Sequence, residues 1–403
     1  MNTYGKPLFE NLKYCTRCCM PETQEGVQFD ELGLCTACQT SEQKIHINWV
    51  AREKELRKIL YEAKEKAKGN YDCILPLSGG KDSMFQGYVL TQVYGMKVLG
   101  VTFSHNWYSE TGWYNLQNML NVFNIDHVMF TPNRNLVNRL ARKSLEAIGD
   151  SCWTCHSGPP AFVFKMAIAY NIPLLVWGES AADFSGKDSY KEQKLKFDRD
   201  YWLKCSGKKR WNELLDEVFS EKDMQPFIVP SAEEIEKAGI VGIHIGNYIF
   251  WDDERQTEFV REHYNWKETE IEQTYKGYKS AECIMPGVHD FTCFLKRGYG
   301  RASWQASIDV RNGLLSRDEG FELVKKYDAE IPEALEYYLQ ITGLTKEEFY
   351  EIMKQKRFQQ LKNEDLKIKE KDHKNAETCK PFFEQILEKH RNRKDPREHK
   401  TKD

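Results

Sequence analysis

The sequence predicts an α/β protein built on a doubly wound parallel sheet, with a cysteine-bearing module before it and helices after it. Three observations carry that prediction. Short apolar runs at 72–77, 97–103, 127–130 and 172–177 alternate with longer segments of helical pattern, as strands joined by crossover helices do. The first run enters Ser78-Gly79-Gly80-Lys81-Asp82-Ser83 and the fourth stops at Gly178-Glu179, so both end in turns at the edge where open parallel sheets bind ligands. Two Cys-x-x-Cys pairs, Cys15/Cys18 and Cys35/Cys38, stand apart from this alternation.

Taken in order, residues 1–45 read as a zinc-binding module. Sixteen residues separate the two pairs, and each pair can turn two thiolates toward one point. Four thiolates make a closed tetrahedral zinc shell with no open catalytic position. Cys19 is a spare, expected to point away. Residues 46–70 read as a charged linking helix that ends near Gly69. The sheet domain is expected over 71–300, with helices after the Ser-Gly-Gly turn and near 111–123, 133–148 and 160–170. It includes a helical insertion over 181–240, rich in charge and aromatics, and a strand over 241–250 that enters Asp252-Asp253. That aspartate pair reads as a strand-end turn in preference to a magnesium site. Residues 301–350 continue as helices, one opened by Arg317-Asp318-Glu319 and one capped by Thr345. The alternating charge of 351–403 predicts a solvated helical or disordered tail.

Composition narrows the class of protein. The chain has 403 residues, 40% hydrophobic and 13% aromatic, enough for a sizeable core and more than one unit. The first residues show no apolar signal region and no run is long enough to span a bilayer, so a cytoplasmic enzyme is expected. A net charge of −3 gives no basic field for nucleic acid. Twelve cysteines in a chain of this size point to metal or catalysis rather than to a disulfide scaffold.

The Ser-Gly-Gly turn carries the chemistry. A strand that turns through glycines into a helix gathers backbone N–H groups at a positive helix end, and that makes an anion site. The spacing G-x-x-x-x-G-K-[ST] of triphosphatases is absent, and so is the G-x-G-x-x-G of dinucleotide-binding folds. Ser78-Gly79-Gly80-Lys81-Asp82-Ser83 instead resembles the pyrophosphate loop (PP-loop) of the ATP-pyrophosphatase superfamily. Members of that superfamily split ATP between its α and β phosphates and adenylate a carbonyl oxygen. The resemblance implies ATP with Mg2+, held by Ser78, Gly79, Gly80, Lys81, Asp82, Ser83 and Gly178. Lys81, Asp82 and Glu179 are then the catalytic candidates.

A further pair, Cys152-Trp153-Thr154-Cys155-His156, precedes the helix that leads to the fourth strand. It resembles the sulfur-inserting tRNA branch of the same superfamily, in which two such cysteines and a later third hold a [4Fe–4S] cluster. Here Cys293 is the preferred third, with Cys283 and Cys205 behind it. A second zinc site using His156, a redox pair and two packed thiols are the other readings.

Over most of its length, from Lys13 to about 330, the chain resembles the N-acetyl sugar amidotransferase family. The resemblance rests on Lys13-Tyr-Cys-Thr-Arg-Cys18, Met20-Pro-Glu-Thr23, Phe29-Asp-Glu-Leu-Gly-Leu-Cys35-Thr-Ala-Cys38, the Ser-Gly-Gly-Lys-Asp-Ser loop, Phe294-Leu-Lys-Arg-Gly-Tyr-Gly-Arg301 and Arg311-Asn-Gly313 with Arg317. It implies conversion of the acetamido group of a nucleotide-linked bacterial sugar to an acetamidino group, in O-antigen, capsule or flagellin-glycan synthesis. It also implies ammonia from a partner pair resembling the glutaminase and cyclase subunits of histidine biosynthesis. Lys296, Arg301, Arg311 and Arg317 lie in or near these segments and are the candidates to grip the phosphates and carboxylate of such a substrate. A tRNA thiolase and a zinc-bearing scaffold that binds nucleotide without chemistry are the competing readings.

Overall fold

The computed structural model describes residues 4–180, 182, 190, 196–197, 211–216, 219–371, 373, 376 and 379–391. Its centre is a six-stranded sheet in the order β3-β2-β1-β4-β6-β5. Strands β1 (Cys73–Pro76), β2 (Val98–Phe103), β3 (Asp126–Phe130), β4 (Leu174–Trp177) and β6 (Val241–His244) are parallel. The short β5 (Lys196–Phe197) pairs antiparallel with β6 at the edge. The chain lays down β1, β2 and β3 in one direction, then returns to place β4 on the other side of β1. That reversal is a topological switch point, and it opens a crevice at the carboxyl ends of β1 and β4.

All six positions of β2 are buried, as are the first three of β1 and of β4. Strands covered on both faces need apolar residues at every position, which is why these segments read as unbroken runs. On one face, Leu56 of α2 (Trp49–Ala67), Met84 of α3 (Lys81–Tyr88) and Leu116 of α4 (Glu110–Val122) share a core with Val260, which lies further along the chain. On the other, Leu140 of α5 (Arg134–Ile148) joins Ala161, Phe164 and Ala167 of α6 (Trp153–Tyr170). Val260 belongs to α7 (Asp253–Tyr264).

Several boundaries differ from expectation for local reasons. The linking helix expected over 46–70 is α2, which Asn48 starts by accepting the Ala51 N–H, and a further helix, α1 (Thr36–Lys44), precedes it at the end of the cysteine module. Helix α6 begins at Trp153 rather than near 160, so Cys155, His156 and the Pro159-Pro160 pair all lie within it. The expected strand over 241–250 stops at His244 and turns through Ile245–Asn247. Most of the expected insertion before 219 lies outside the described residues.

Among the described residues, six helices follow: α8 (Pro286–Arg297), α9 (Arg301–Arg311), α10 (Arg317–Tyr327), α11 (Ala334–Thr342), α12 (Lys346–Lys356) and α13 (Phe382–Arg391). Phe291, Phe294, Tyr338 and Phe349 form their core, which also takes in Phe9, Leu12 and Leu145. The solvated tail predicted from 351 needs correction. Met353, Leu361 and Leu366 are buried in that core, and the Lys369 N–H donates to the Ala329 carbonyl at 2.8 Å. Three apolar anchors among many charges do not register as a pattern, yet they hold the segment down. Residues 392–403 lie outside the description. Among the described residues, no helix is long and apolar enough to cross a membrane.

Candidate active site

The turn after β1 is built to keep its backbone close to a ligand. Gly79 has φ +91°, and a Cβ there would stand 2.7 Å from the Gly112 carbonyl, so only glycine fits. The turn is braced from three sides. Ser78 Oγ accepts the Gly80 N–H at 3.1 Å, the Trp266 indole donates to the Gly79 carbonyl at 3.0 Å, and Ser83 Oγ donates to the Gly80 carbonyl at 2.9 Å. Helix α3 starts at Lys81, which aims its positive end at the crevice.

Lys81 is buried and reaches Asp82 at 2.5 Å and Asp253, the first residue of α7, at 3.0 Å. Lys279 pairs with the other oxygen of Asp253. Burial alone would pull the Lys81 pKa down, but Asp253, Asp82 and Glu179 outweigh it and hold it above the ordinary lysine value. Glu179, just past β4, is pushed up to about 7 by burial and by Asp82, against the pull of Lys279. Burial also raises Asp253, but Lys279 and Lys81 prevail and keep it well below the usual carboxylate range. One oxygen from each of Asp82, Glu179 and Asp253 lies within 4.8 Å of the others. An oxygen-only set beside a phosphate-binding turn suits magnesium. A cation would offset both the burial of Glu179 and the neighbouring carboxylates that together raise it.

Two cavities meet at this point. The first, about 500 Å³, runs past the ends of β1 and β2 and is walled by Pro76, Val101, Phe103, Val163 and Trp177, with Ser83 and Gly178 at its edge. The second, about 790 Å³, is lined by Lys81, Lys279, Arg297, Arg301, Trp304 and Gln305. Both sizes are those of ligand sites. Ser78, Asp82, Glu179 and Glu282 belong to both linings. Glu282 is held toward its protonated form by burial, although Arg301 opposes this, and its Oε2 has no hydrogen-bond partner among the described residues.

The expected cationic series divides. Arg301 lines both cavities, its guanidinium held by Asp290 at 2.6 Å. Arg311, Arg317 and Lys296 do not reach them. Arg317 donates to the carbonyls of Cys15 at 2.9 Å and Cys18 at 3.2 Å, and Arg311 approaches Cys18 Sγ at 3.9 Å. Both sit on the side of α9 and α10 that faces the cysteine module, so they brace that module instead of a substrate. Lys296 turns the opposite way and donates to the Ile148 carbonyl at 2.7 Å. Arg297, its unremarked neighbour, is the one that lines the second cavity, paired with Glu25.

The four N-terminal cysteines converge as expected. Cys15 Sγ lies 3.7 Å from Cys38 Sγ, and Cys18 Sγ lies 3.7 Å from Cys35 Sγ. Tetrahedral zinc with ordinary Zn–S bonds spaces its sulfurs about 3.8 Å apart. The Cys35 N–H points at Cys15 Sγ at 3.3 Å. Cys19 turns away, its sulfur 3.7 Å from the Arg317 carbonyl, and burial pushes its thiol up to about 12. The residues fit a structural zinc.

The second cysteine set needs correction. Cys152 and Cys155 line the first cavity together with Cys283, whereas Cys293 lines the second beside Arg297. Among the described residues, none of the groups of three close metal-ligating atoms contains Cys152, Cys155 or Cys293. Cys293 stands one turn beyond His289 on the same face of α8, so it lines the second cavity and not the first; Cys205 lies outside the described residues.

Asp253, Lys279, Glu282 and Arg297 escaped the sequence reading. Asp253 left a trace in the Asp252-Asp253 pair, which the structure divides: Asp252 caps α7 by accepting the Arg255 N–H, and Asp253 faces Lys81. Lys279 and Glu282 left none, because they stand on an irregular stretch that only the fold brings to the loop.

With this geometry in place, comparison with known proteins adds one family match, over the C-terminal part of the chain. Residues 272–380 match the family described as LPS biosynthesis protein WbpG-like, C-terminal domain. This part of the chain is similar to that domain. The match fits the amidotransferase resemblance seen in the sequence, and it spans the boundaries expected at 300 and 350. The WbpG-like segment supplies Lys279, Glu282, Arg297 and Arg301, so it forms one wall of both cavities. No curated protein matches the chain. A solved structure of NMN synthetase from Francisella tularensis is 12% identical, covering 56% of this chain and 98% of its own, with a TM-score of 0.27, a likeness too loose to carry an inference.

Proposed function

We propose that this chain is an ATP-dependent, AMP-forming amidotransferase that converts the N-acetyl group of a nucleotide-linked sugar to an acetamidino group in bacterial surface-glycan synthesis. One observation carries the reading. The Ser-Gly-Gly-Lys-Asp-Ser turn stands at the sheet's switch point, between an apolar cavity suited to adenosine and a polar one in which Lys81, Lys279, Arg297 and Arg301, set among carboxylates, suit the phosphates of a sugar nucleotide. The WbpG-like segment supports the pathway.

An amide is a poor electrophile with a poor leaving group. Attack of its oxygen on the α-phosphate displaces pyrophosphate and leaves an adenylylated imidate. Ammonia then adds at carbon and AMP departs, giving the amidine. Ser78, the backbone N–H groups at the start of α3 and the Lys81 ammonium receive the charge that grows on the leaving pyrophosphate. Asp82, Glu179 and Asp253 would hold magnesium, which supplies further charge neutralisation there. Glu179 thereby joins the carboxylate group instead of acting alone as base. Glu282, which lines both cavities, takes in its ionised form the proton that ammonia must lose. Arg301, held by Asp290, and Arg297 orient the anionic part of the sugar nucleotide.

No nucleophile elbow marks a glutaminase in the sequence, so ammonia comes from a separate glutaminase–cyclase-like pair. The isolated chain should use ammonium salts, faster as pH rises and more NH3 is present, but not glutamine. The test is product analysis with ATP, ammonium and an N-acetyl sugar nucleotide. AMP and pyrophosphate support the reading; ADP and phosphate contradict it.

A further inference from the structure

Beside the cysteine pair lies a ligand set that neither the phosphate chemistry nor the zinc module uses. Asp150 stands in the turn after α5, His156 in the first turn of α6 and His289 in the first turn of α8. One carboxylate oxygen and one nitrogen from each ring lie within 4.8 Å of one another. Cations bound by such groups hold them about 2.0–2.2 Å away, so neighbouring ligand atoms need only small adjustments to close on one point.

Two of the three ligands, Asp150 and His289, are oriented by groups around them. Asp150 is 4% exposed, and its Oδ1 accepts the Cys152 N–H at 2.8 Å. His289 Nδ1 lies 3.0 Å from Asp290 Oδ1, while the other oxygen of Asp290 is held by Arg301 at 2.6 Å. A carboxylate behind a histidine is the usual way to fix the ring that carries a metal. The two imidazoles are 5.6 Å apart, centre to centre, and tilted by 49°, so they are not stacked face to face. Both line both cavities, whereas Asp150 lies behind them.

We propose that Asp150, His156 and His289 bind a divalent transition-metal ion at the wall shared by the two cavities. The ion is separate from the four-cysteine zinc and from the carboxylates beside Lys81. Two imidazoles and one carboxylate suit zinc, iron(II), cobalt(II) or manganese(II), and disfavour both magnesium and an iron–sulfur cluster. Three protein ligands leave coordination positions open toward the cavities, where an oxygen or nitrogen ligand can reach the ion. The proposal concerns binding alone and stands whether or not the amidotransferase reading holds.

Cobalt(II) is the probe. The full chain is stripped of metal, loaded with cobalt(II), freed of loosely held ion by gel filtration and assayed for metal content and absorption. The wild type should hold one ion more than the four-cysteine module accounts for. That extra ion should add d–d absorption without adding thiolate-to-cobalt charge transfer. The variant His156→Ala/His289→Ala should lose it while keeping the module's thiolate band, which also reports that the chain is folded. Asp150→Asn should weaken it, and Cys152→Ser/Cys155→Ser should retain it. A wild type with no extra ion, an extra ion that survives removal of both histidines, or one that brings a second thiolate band would overturn the assignment.

Discussion

Cys15-x-x-Cys18 and Cys152-x-x-Cys155 have the same spacing, yet the fold uses them differently. The first is folded into a turn by the Cys15 N–H bond to the Met20 carbonyl and meets a second pair, Cys35/Cys38, so that four sulfurs converge. The second opens a helix and faces a cavity, and the ligand atoms that gather beside it are two imidazoles and a carboxylate. Spacing alone therefore establishes that two thiols can face one way. What they face is decided by the next element to arrive, and here α8 brings His289 to the pair's neighbourhood while Cys293 goes to the other cavity.

The largest expected effect separates these regions outright. Cys15→Ser/Cys35→Ser should lose its zinc and with it the folding of the module, because structural zinc contributes about 10 kcal/mol or more to such sites. Cys152→Ser/Cys155→Ser should keep zinc and unfold within about 2 kcal/mol of wild type. Metal content and urea titration read both. Undiminished zinc in the first variant would remove the module's assignment. Next in size is Lys81→Ala, which touches neither cysteine region. It should lower AMP formation about 100-fold or more and leave zinc content unchanged. A near-wild-type rate would take Lys81 out of the site.

The two arginines sharpen the contrast further. Arg317→Ala removes hydrogen bonds to the Cys15 and Cys18 carbonyls and should cost about 2 kcal/mol of stability, with no change in KM for the sugar nucleotide. Arg301→Ala should raise that KM. The reverse result would return Arg317 to the substrate site. The last effect is a pH slope on the zinc-facing side. Asp328 caps α9 from within, accepting N–H bonds from Gly300 at 2.9 Å and Ala302 at 2.8 Å. Burial raises its pKa from 3.8 to about 6, against those bonds. Between these values the folded state keeps a proton that the unfolded chain has lost, so this group's contribution to stability falls as pH rises through the window. Asp328→Asn should lack that component in unfolding curves taken across it.

Much of the sheet was legible because strands buried on both faces leave runs of apolar residues, and β2 is buried at every position. The loop was legible because its glycines and its place at a strand end are local. The rest of the site was not. Asp253, Lys279 and Glu282 come from segments far along the chain, and nothing in their neighbours predicts the approach to Lys81. Arg311 and Arg317 misled for the converse reason. A cation within a recognised segment marks that segment as held to something, and here it is held to the cysteine module. The tail misled because Leu361 and Leu366 are too widely spaced among charges to show a face, yet each is fully or nearly fully buried.

The central claim is that the amide oxygen itself attacks ATP in the crevice between β1 and β4. An N-acetyl sugar nucleotide labelled with oxygen-18 at the acetamido carbonyl, incubated with the chain, ATP and ammonium, tests it directly. The label should leave the sugar and appear in the phosphate group of AMP, one atom for each amidine formed. Label found in free phosphate or water while amidine accumulates would contradict the account.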